Sequence, residues 1–504
     1  MKLLQIAVLL SSLTSFAAGK TGENGKGCKP KRWIDSKRLQ ADINTKKLMK
    51  NLQALNDIAN ANGGNRAFGL PGYAASVDYV WDRISRVPGT KAWKQDFDAL
   101  FSQVESIALN IGGEDIYTYG LTYSPSTTPE GIKAEVVAGP EGAAGCEESS
   151  YDNLDVKGKI VLVQRFRCPT GGTLAGRVLP AAKAGAAAVI IYNDLTTNVT
   201  AGSLSEPSPE HVPAGFINLL DGQRIKGRLA TGEKLEGFFQ QTQVTELRPT
   251  QNVIVETLGG DPENVIVLGA HLDSVQAGPG INDDGSGTTL ILELFLAMSK
   301  YRTKNKVRFA WWGAEENGKL GSKHYCSTLE PLEADKILAY LNFDMVAKGY
   351  IGVGDGDGSS HGSVAPPGSD VIERIFIGNF ERQGIVVTPA VITNGSDYAY
   401  FWSMLNKPIG FLHTGTGVAQ DPCYHQACDT IDNVNPTTLT TNAQAAAHML
   451  SVLSMTGTQL LPKSPPINAT ELASIRMRDV GSDVIRIEEL EALGERHLGC
   501  GQVI

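Results

Sequence analysis

Histidine and acidic residues lie at or beyond the ends of several predicted strands in the C-terminal half of the chain. Each predicted strand is a short apolar run. The first run is followed by a glycine-rich loop and then by a segment with apolar residues at helical spacing. The runs and the residues after them are 264–270 before His271 and Asp273, 305–314 before Glu315 and Glu316, 336–343 before Asp344, and 407–413 before Tyr424 and His425. Because ligand sites of open α/β sheets lie at the carboxyl ends of strands, we expect these side chains to meet.

The glycine-rich loop GPGINDDGSG adds a further carboxylate, Asp283, to this set. Carboxylates brought close together cannot all stay ionised, and some would take up protons unless cations neutralise them. Imidazole nitrogens with carboxylate oxygens are ligands typical of catalytic Zn²⁺, which needs about three protein ligands. The candidate ligands are too many for one ion, but they suit two ions that share one carboxylate. The sequence therefore predicts two Zn²⁺ ions bridged by Asp283, since glycine neighbours let the backbone approach closely.

Glu315 and Glu316 are adjacent, so their side chains diverge and must have different tasks. One of them can bind metal while the other faces the metal-bound water as general base. Asp273 lies two residues after His271, on the same side of an extended chain. We expect its carboxylate to accept the second imidazole N–H and fix the tautomer of that histidine. The predicted chemistry is metal-assisted hydrolysis.

The elements that must position these residues predict an α/β fold with a mixed, mostly parallel sheet flanked by helices. Helical patterns dominate 41–124, whereas 125–244 alternates short β-like runs with Pro, Gly and Ser loops and predicts an inserted β-rich domain. The catalytic domain then comprises 41–124 together with 245–460. A basic arm or propeptide is predicted over 19–40, and a C-terminal tail over 461–504.

The N-terminal segment and the charge indicate an exported protein. MKLLQIAVLLSSLTSFAAG has a positive end, an apolar core and a small-residue cleavage zone, so residues 1–18 are predicted to be a signal peptide. No later segment has the roughly 20 unbroken apolar residues of a membrane span. A net charge of −9 argues against a nucleic-acid partner. We expect a secreted protein or, because vacuolar delivery uses the same signal, a protein of the vacuolar lumen.

Cysteine usage and glycosylation sequons agree with export. The seven cysteines of an exported chain should mostly pair. Cys423 and Cys428 are close enough for a local disulfide, and Cys146 with Cys168 is the second expected pair. The cysteines left unassigned are Cys28, Cys326 and Cys500. N-glycosylation sequons begin at Asn198, Asn394 and Asn468.

The motifs HLDSV, GPGINDDGSG, WWGAEENGKLGS, NFDMVA and CYHQACDTIDN closely resemble those of the co-catalytic di-zinc aminopeptidases of the secreted fungal leucine aminopeptidase and vacuolar aminopeptidase Y type. The resemblance covers most of residues 40–460 and implies a zinc-peptidase α/β/α sandwich. The ligands it implies are His271, Asp283 and Asp344 on one zinc, and Asp283, Glu316 and His425 on the other. The other roles it implies are Glu315 as base, Asp273 as the residue that orients His271, and Tyr424 as a donor to the oxyanion.

The inserted segment has a resemblance of its own. Residues 156–194, VKGKIVLVQRFRCPTGGTLAGRVLPAAKAGAAAVIIYND, are similar to the protease-associated domain found in several exported peptidases. The resemblance implies a small β-rich lobe near the mouth of the active site. Such a lobe either restricts substrate access or stabilises the fold.

Together these features predict a monomeric zinc aminopeptidase that removes apolar, leucine-like residues from peptides with a free N-terminus. Candidates for the pocket lining are Trp311, Trp312, Phe401, Trp402 and Phe411. The two adjacent tryptophans point to opposite faces of their strand, and core packing suits both. A carboxypeptidase of the same fold is the first alternative, but no Arg cluster for a C-terminal carboxylate lies near the motifs. A single-zinc acyltransferase of glutaminyl-cyclase type is the second, and the full ligand set disfavours it.

Overall fold

The computed structural model describes residues 31–196, 198–200 and 202–466, so the predicted signal peptide and the tail after residue 466 lie outside the described residues. The helices, α1 to α11 in chain order, are Ser36–Asp42, Thr45–Ala61, Pro71–Ile84, Ala175–Lys183, Leu219–Ala230, Ser286–Met298, Leu320–Thr328, Pro331–Asp335, Ser369–Glu381, Tyr398–Ser403 and Pro436–Leu460. The strands, β1 to β16, are Arg32–Trp33, Thr90–Ile111, Glu114–Asp115, Tyr119–Gly120, Ile132–Ala138, Ile160–Gln164, Ala188–Tyr192, Ala214–Ile217, Leu235–Thr257, Asp261–His271, Tyr301–Arg302, Asn305–Trp312, Ile337–Phe343, Gly352–Gly354, Thr388–Ala390 and Ile409–His413.

The part of the sheet that positions the site is centred on β10. Strands β12 and β13 both run parallel to β10, and β16 lies parallel to β13 on its far side. Strand β9 pairs with β12 in the antiparallel direction. The register places His271 opposite Trp312 and Gly269 opposite Asn342. The prediction of a mixed, mostly parallel sheet flanked by helices is therefore confirmed.

Side chains along β10 alternate between two hydrophobic cores. Ile266 and Leu268 face α2, α6, α9 and α11, whereas Val267 faces α7 and α10 on the other side of the sheet. A strand covered on both faces is apolar nearly throughout, which explains the run NVIVLGA. Trp311 and Trp312 obey the same alternation, and each is fully buried in a different one of the two cores.

Strands β2 and β9 form a long antiparallel ribbon that joins two halves of the molecule. Their pairing runs from Thr90 opposite Thr257 to Ile111 opposite Gly237. Beyond the ribbon, β5 to β8 are parallel to one another and pack with α4 and α5 around separate cores. Leu121 already belongs to one of these cores, although the sequence predicts a boundary after residue 124. Because the two halves meet inside continuous strands, no change in amino-acid composition marks the boundary between them.

The N-terminal end of the described chain is part of the catalytic half. Strand β1 pairs with β11, and α1 packs against α11. The sequence predicts a basic arm or propeptide as far as residue 40, whereas the structure packs residues 31–40 on the catalytic half, where Ile34 and Leu39 are buried in the core. None of the described helices is both long and apolar enough to cross a bilayer.

Candidate metal centre and active site

The carboxyl edge of the sheet carries the predicted ligands. His271 ends β10, Asp344 directly follows β13, and Glu316 lies shortly beyond β12. Asp283 occupies a tight turn that leads into α6, and His425 lies in the loop after β16. These strands are parallel, so their carboxyl ends bring the side chains to one place.

Asp283 lies between the two imidazoles. Its Oδ1 is 3.1 Å from His271 Nε2, and its Oδ2 is 3.2 Å from His425 Nε2. Asp344 Oδ1 lies 3.6 Å from His271 Nε2, and Glu316 Oε2 lies 3.1 Å from His425 Nε2. The side chains thus divide into two sets that share Asp283. Each set offers one imidazole nitrogen and carboxylate oxygens, which are ligands that zinc accepts.

The neighbouring carboxylates of Glu315 and Glu316 also fit a cation site. All four oxygens are buried and accept no hydrogen bond from any described residue. Glu316 Oε2 and His425 Nε2 are close together but not aligned for a hydrogen bond. Buried carboxylates normally accept hydrogen bonds, and those without donors need another source of positive charge. The residues present therefore fit zinc.

Burial governs the ionisation of this cluster. It raises the pKa of the Glu315 carboxyl well above its usual range, and it raises the pKa of Glu316 to about 7. Burial alone would lower the pKa of His425, but the Glu316 and Asp283 carboxylates raise it to about 10. Burial also disfavours ionised Asp283, yet the His271 and His425 imidazoles hold the pKa of that carboxyl below its usual range. The cluster concentrates negative charge that protons or metal cations must neutralise.

Asp284, the neighbour of the shared carboxylate, holds backbone in place. Its Oδ2 accepts the N–H of His271 at 3.2 Å, and its Oδ1 accepts the N–H groups of Gly287 at 2.8 Å and Met345 at 3.2 Å. Asp284 is near enough to His271 and Asp344 to be considered as a ligand. Because its oxygens already accept these backbone N–H groups, we assign Asp284 a structural role. It joins the ends of β10 and β13 to the start of α6.

Asp273 lies beside His271, but its carboxylate is turned toward the two glutamates. His271 Nδ1 is 3.1 Å from the backbone carbonyl oxygen of Asp273 and 3.6 Å from its Oδ1. The carboxylate accepts the N–H of Glu315 at 3.1 Å and that of Glu316 at 3.2 Å. The sequence predicts that the carboxylate orients the imidazole, whereas in the structure the carbonyl is closer and the carboxylate holds the glutamate segment.

Two further buried residues support the Asp283 loop and were missed by sequence reasoning. Asp429 accepts the backbone N–H groups of Asn282 at 2.9 Å and Asp283 at 3.0 Å. The guanidinium of Arg66 donates to three backbone carbonyls, those of Leu272, Pro279 and Gly280. Asp429 stands inside the motif CYHQACDTIDN and could have been found there. Arg66 has no local signal, because its partners are more than 200 residues away.

The backbone adopts the left-handed region at several positions beside the site. Ala314, before Glu315, has a φ of 56°, and Met345, after Asp344, has a φ of 51°. His425 itself has a φ of 56°. Non-glycine residues adopt this region rarely, at a cost on the order of 1–3 kcal/mol, and such residues cluster at functional sites. The chain bends sharply at these positions, where it presents the site residues.

Tyr424 and a disulfide flank His425. The Tyr424 ring stacks on the imidazole with 3.8 Å between ring centroids. A disulfide between Cys423 and Cys428 closes the short loop that carries both residues. The structure also joins Cys146 to Cys168, so both pairs favoured by the sequence are bonded. Cys326 is buried, and the remaining cysteines, Cys28 and Cys500, lie outside the described residues.

The three sequons differ in accessibility. Asn198 is exposed, and Asn468 lies outside the described residues. Asn394 is only 8% exposed, and Ser396 of the same sequon is also buried and donates a hydrogen bond to Asp344. A glycan has no room there, so we do not expect the sequon at Asn394 to be glycosylated although the sequence offers it.

Two regions of the chain match known families. Residues 252–450 match Peptidase family M28, and residues 132–225 match the PA domain. Leucine aminopeptidase 2 of Trichophyton rubrum is 36% identical over 466 residues, which cover 89% of this chain and 92% of the relative. An aminopeptidase of Pseudomonas aeruginosa is 38% identical over 447 residues, which cover 81% of this chain and 80% of the relative.

Solved structures agree with this assignment. The aminopeptidase from Aneurinibacillus sp. strain AM-1 superimposes with a TM-score of 0.69 at 26% identity, over 86% of this chain and 98% of that one. A zinc aminopeptidase from Bacillus subtilis shares the fold, with a TM-score of 0.66 at 24% identity over 82% of this chain and 96% of that one. The chain therefore belongs to peptidase family M28 and is a zinc-dependent aminopeptidase that carries a PA domain.

Proposed function

We propose that this aminopeptidase works with two zinc ions and removes apolar, leucine-like residues from peptides with a free N-terminus. The observation that carries the proposal is the position of Asp283, whose two oxygens lie 3.1 Å and 3.2 Å from different imidazoles. Two ligand sets that share one carboxylate are what a two-metal hydrolytic site requires. The remaining ligands would be His271 and Asp344 for one ion, and Glu316 and His425 for the other.

When bound, the two ions supply an acidic water and a Lewis acid that polarises the scissile carbonyl. Glu315 is the proposed base, because its buried oxygens lie beside the ligand sets and accept no hydrogen bond from described residues. Its carboxylate takes a proton from the attacking water and later delivers that proton to the leaving nitrogen. Asp273 keeps Glu315 in place through the backbone N–H groups that its carboxylate accepts.

The remaining roles concern how the substrate is held. Surplus carboxylate charge in the cluster suits the ammonium of a free N-terminus, which supports exopeptidase action. We assign Tyr424, stacked on His425, to donate a hydrogen bond to the oxyanion. An N-blocked peptide has no ammonium to place and should not be cleaved.

The preference for an apolar first residue is supported by the name of the Trichophyton rubrum relative, leucine aminopeptidase 2. Among the predicted lining residues, Phe401 and Phe411 are buried in stacked pairs with Tyr340 and Tyr398. Trp402 is only partly buried and remains the candidate for the pocket wall.

We further propose that the enzyme is exported and acts as a monomer, either outside the cell or in the vacuolar lumen. The signal-like first residues and the sequon at the exposed Asn198 support export. The two disulfides also suit an oxidising compartment, because thiols are kept reduced in the cytosol.

The experiment that tests the function is hydrolysis of leucine-4-nitroanilide beside its N-acetylated form, before and after chelation and zinc add-back. We expect cleavage of the free form alone, lost with the chelator and restored by zinc, with two zinc ions per chain by metal analysis. Equal cleavage of the acetylated form would contradict exopeptidase action. A fully active enzyme with one zinc per chain would contradict the two-ion proposal while leaving the aminopeptidase activity in place.

A further inference from the structure

A row of buried polar side chains crosses one face of the sheet and ends at Asp344. Trp312 Nε1 donates to Tyr340 Oη at 2.9 Å, and Tyr340 Oη donates to Asn342 Oδ1 at 2.7 Å. Asn342 Nδ2 donates to Ser396 Oγ at 2.8 Å, and Ser396 Oγ donates to Asp344 Oδ2 at 2.5 Å. Each of these side chains is at most 5% exposed, so water does not compete for these hydrogen bonds.

The direction of this row is fixed by its first member. An indole nitrogen is only a donor, so Tyr340 Oη accepts from Trp312 and its own proton goes to Asn342. The amide oxygen of Asn342 therefore faces Tyr340, and the amide nitrogen faces Ser396. The Ser396 hydroxyl accepts from that nitrogen and must donate to Asp344. Each donor has one acceptor, and the row ends on a carboxylate, where a hydrogen bond is strongest.

The backbone leaves room for this row where it passes β10. A Cβ added at Gly269 would lie 2.2 Å from Tyr340 Oη and 2.4 Å from Trp312 Nε1. Gly269 stands two residues before His271 on the same strand and pairs with Asn342 of β13. The absence of a side chain at this position thus lets Trp312 on β12 reach Tyr340 on β13 across the strand that carries a proposed ligand.

We propose that Trp312, Tyr340, Asn342 and Ser396 are positioning residues that decide which oxygen of Asp344 faces the metal centre. The inference rests on the proposed function, in which Asp344 is a zinc ligand. The row engages Oδ2, while Oδ1 is the oxygen that lies 3.6 Å from His271 Nε2. A carboxylate held in this way loses little rotational freedom when it binds the ion. The row therefore raises affinity for the ion that His271 and Asp344 share, and not for its neighbour.

The most informative variant is Tyr340→Phe, because it breaks the row far from the metal and keeps the ring. The ring stacks on Phe401 with 3.8 Å between centroids, and that contact survives the substitution. The matched control is Tyr325→Phe, which removes a buried tyrosine hydroxyl that bonds to Arg308 in the same core and is not part of the row.

The readout is a titration of the apoenzyme with zinc against a chromogenic chelator, which gives a separate dissociation constant for each ion. Loss of a partner that orients a metal ligand typically weakens binding about 10- to 100-fold. We expect Ser396→Ala to show a loss of that size for one ion and Tyr340→Phe a smaller loss for the same ion. Tyr325→Phe should leave both constants unchanged, and Ser396→Thr, which keeps the hydroxyl, should restore the wild-type value.

Thermal unfolding of the apoenzyme separates positioning from general destabilisation. Tyr340→Phe and Tyr325→Phe should lower the midpoint similarly, because each leaves one buried donor without an acceptor, yet only the former should alter zinc binding. Equal zinc constants in wild type, Ser396→Ala and Tyr340→Phe would overturn this inference alone. Weakening of both ions together would also overturn it, since the row ends on one ligand. A wild-type enzyme that binds no zinc would overturn the proposed function and this inference together.

Discussion

At the scale of single residues, the buried carboxylates of the site differ in the hydrogen bonds that they accept. Asp284 and Asp429 accept backbone N–H groups and hold the ligand loops in place. Asp273 does the same for the glutamate segment. Both oxygens of Glu315 accept nothing from described residues. A carboxylate without donors is free to exchange a proton with water. Glu316 shares this property, but it is a proposed zinc ligand, so Glu315 is left as the proposed base.

Glu315→Gln tests the assignment of the base. The amide is nearly isosteric but cannot accept the proton, so we expect kcat to fall about 10²- to 10⁴-fold, the usual contribution of a general base. Zinc content should stay at the wild-type level, because Glu315 is not a proposed ligand. Steady-state kinetics and metal analysis of the same preparation check both points. Glu316→Gln is the companion variant, and it should lose zinc as well as activity; the reverse pattern would exchange the two roles.

Lys407 is a second residue whose surroundings predict a measurable effect, here on stability. Its side chain is fully buried, its Nζ has no hydrogen-bond partner among the described residues, and burial lowers its pKa to about 8. The folded pKa lies below the unfolded value of about 10.4, so folding is penalised at every pH below about 8 and the penalty fades as pH rises toward 10.4.

Lys407→Met should therefore stabilise the protein at pH 6, by on the order of 2–3 kcal/mol, because each pKa unit corresponds to about 1.4 kcal/mol. The gain should shrink by pH 10.5, where the lysine is neutral in both states. Chemical unfolding of both proteins at the two pH values measures the difference. A gain that is the same at both values would show that the effect comes from packing and not from charge.

At the scale of elements, the loop between β10 and α6 is held by a contact from outside its own sequence. Arg66 Nε donates to the carbonyl of Pro279 at 2.9 Å, and its terminal nitrogens donate to those of Leu272 and Gly280. The planar guanidinium thus joins the two ends of the loop that separates His271 from Asp283. Burial lowers the pKa of the Arg66 guanidinium, and the Asp273, Asp284 and Asp429 carboxylates oppose that effect and favour the ionised form.

Arg66→Lys should loosen that loop, because one ammonium cannot reproduce the fork that reaches carbonyls on both sides. We expect zinc affinity to fall about 10- to 100-fold, together with a lower unfolding midpoint. The matched control is Arg177→Lys, since Arg177 is also fully buried and donates to the carbonyls of Pro140, Gly142 and Gln164 in the other half. Arg177→Lys should lower stability and leave zinc affinity unchanged. Equal zinc affinity in both variants would mean that Arg66 only stabilises the fold.

At the scale of the whole molecule, one continuous sheet carries two halves with separate hydrophobic cores. The β2–β9 ribbon crosses between them, and a small core of Phe68, Phe97 and Phe101 lies on it. The proposed zinc ligands all belong to one half. We propose that the PA half is an inserted unit carried by this ribbon, so the halves should respond differently to loss of metal.

Removing zinc should destabilise the catalytic half selectively. The folded state alone assembles the ligands, so saturating zinc at about a thousand times its dissociation constant adds about 4 kcal/mol to stability. We expect chelation to speed hydrogen exchange at β10, β13 and α6 and to leave exchange at β6 and β7 unchanged, as measured by mass spectrometry. A uniform change across both halves would instead indicate one cooperative unit.

Glycosylation tests both export and the burial of one sequon. In a eukaryotic secretory host, Asn198→Gln should remove the mass of one glycan, because Asn198 is exposed. Asn394→Gln should leave the mass of the folded, secreted protein unchanged apart from the substitution, because Asn394 is 8% exposed. Intact-mass measurement before and after enzymatic deglycosylation checks both variants. A glycan on Asn394 would show that this segment packs differently from the structure described.

Local sequence patterns were sufficient to predict the kinds of residue at the site and the elements that carry them. Short apolar runs, each followed by histidine or acid, were enough to predict that His271, Glu315, Glu316 and Asp344 lie at one edge of a parallel sheet. These signals are local, because apolar runs and glycine-rich turns depend on neighbouring residues. The residues themselves also predicted Asp283 as the shared carboxylate, and the motif resemblance added the division of the remaining ligands between two ions.

The way in which those residues are held depends on long-range contacts. Arg66 reaches carbonyls more than 200 positions away, and Ser396 reaches Asp344 across 52 positions. The Asp273 carboxylate likewise lies toward Glu315, and Asn394 is buried. Strands β2 and β9 run unbroken through both halves. These features depend on contacts between segments remote in sequence. No pattern within one segment can report which oxygen of a carboxylate a distant donor will take.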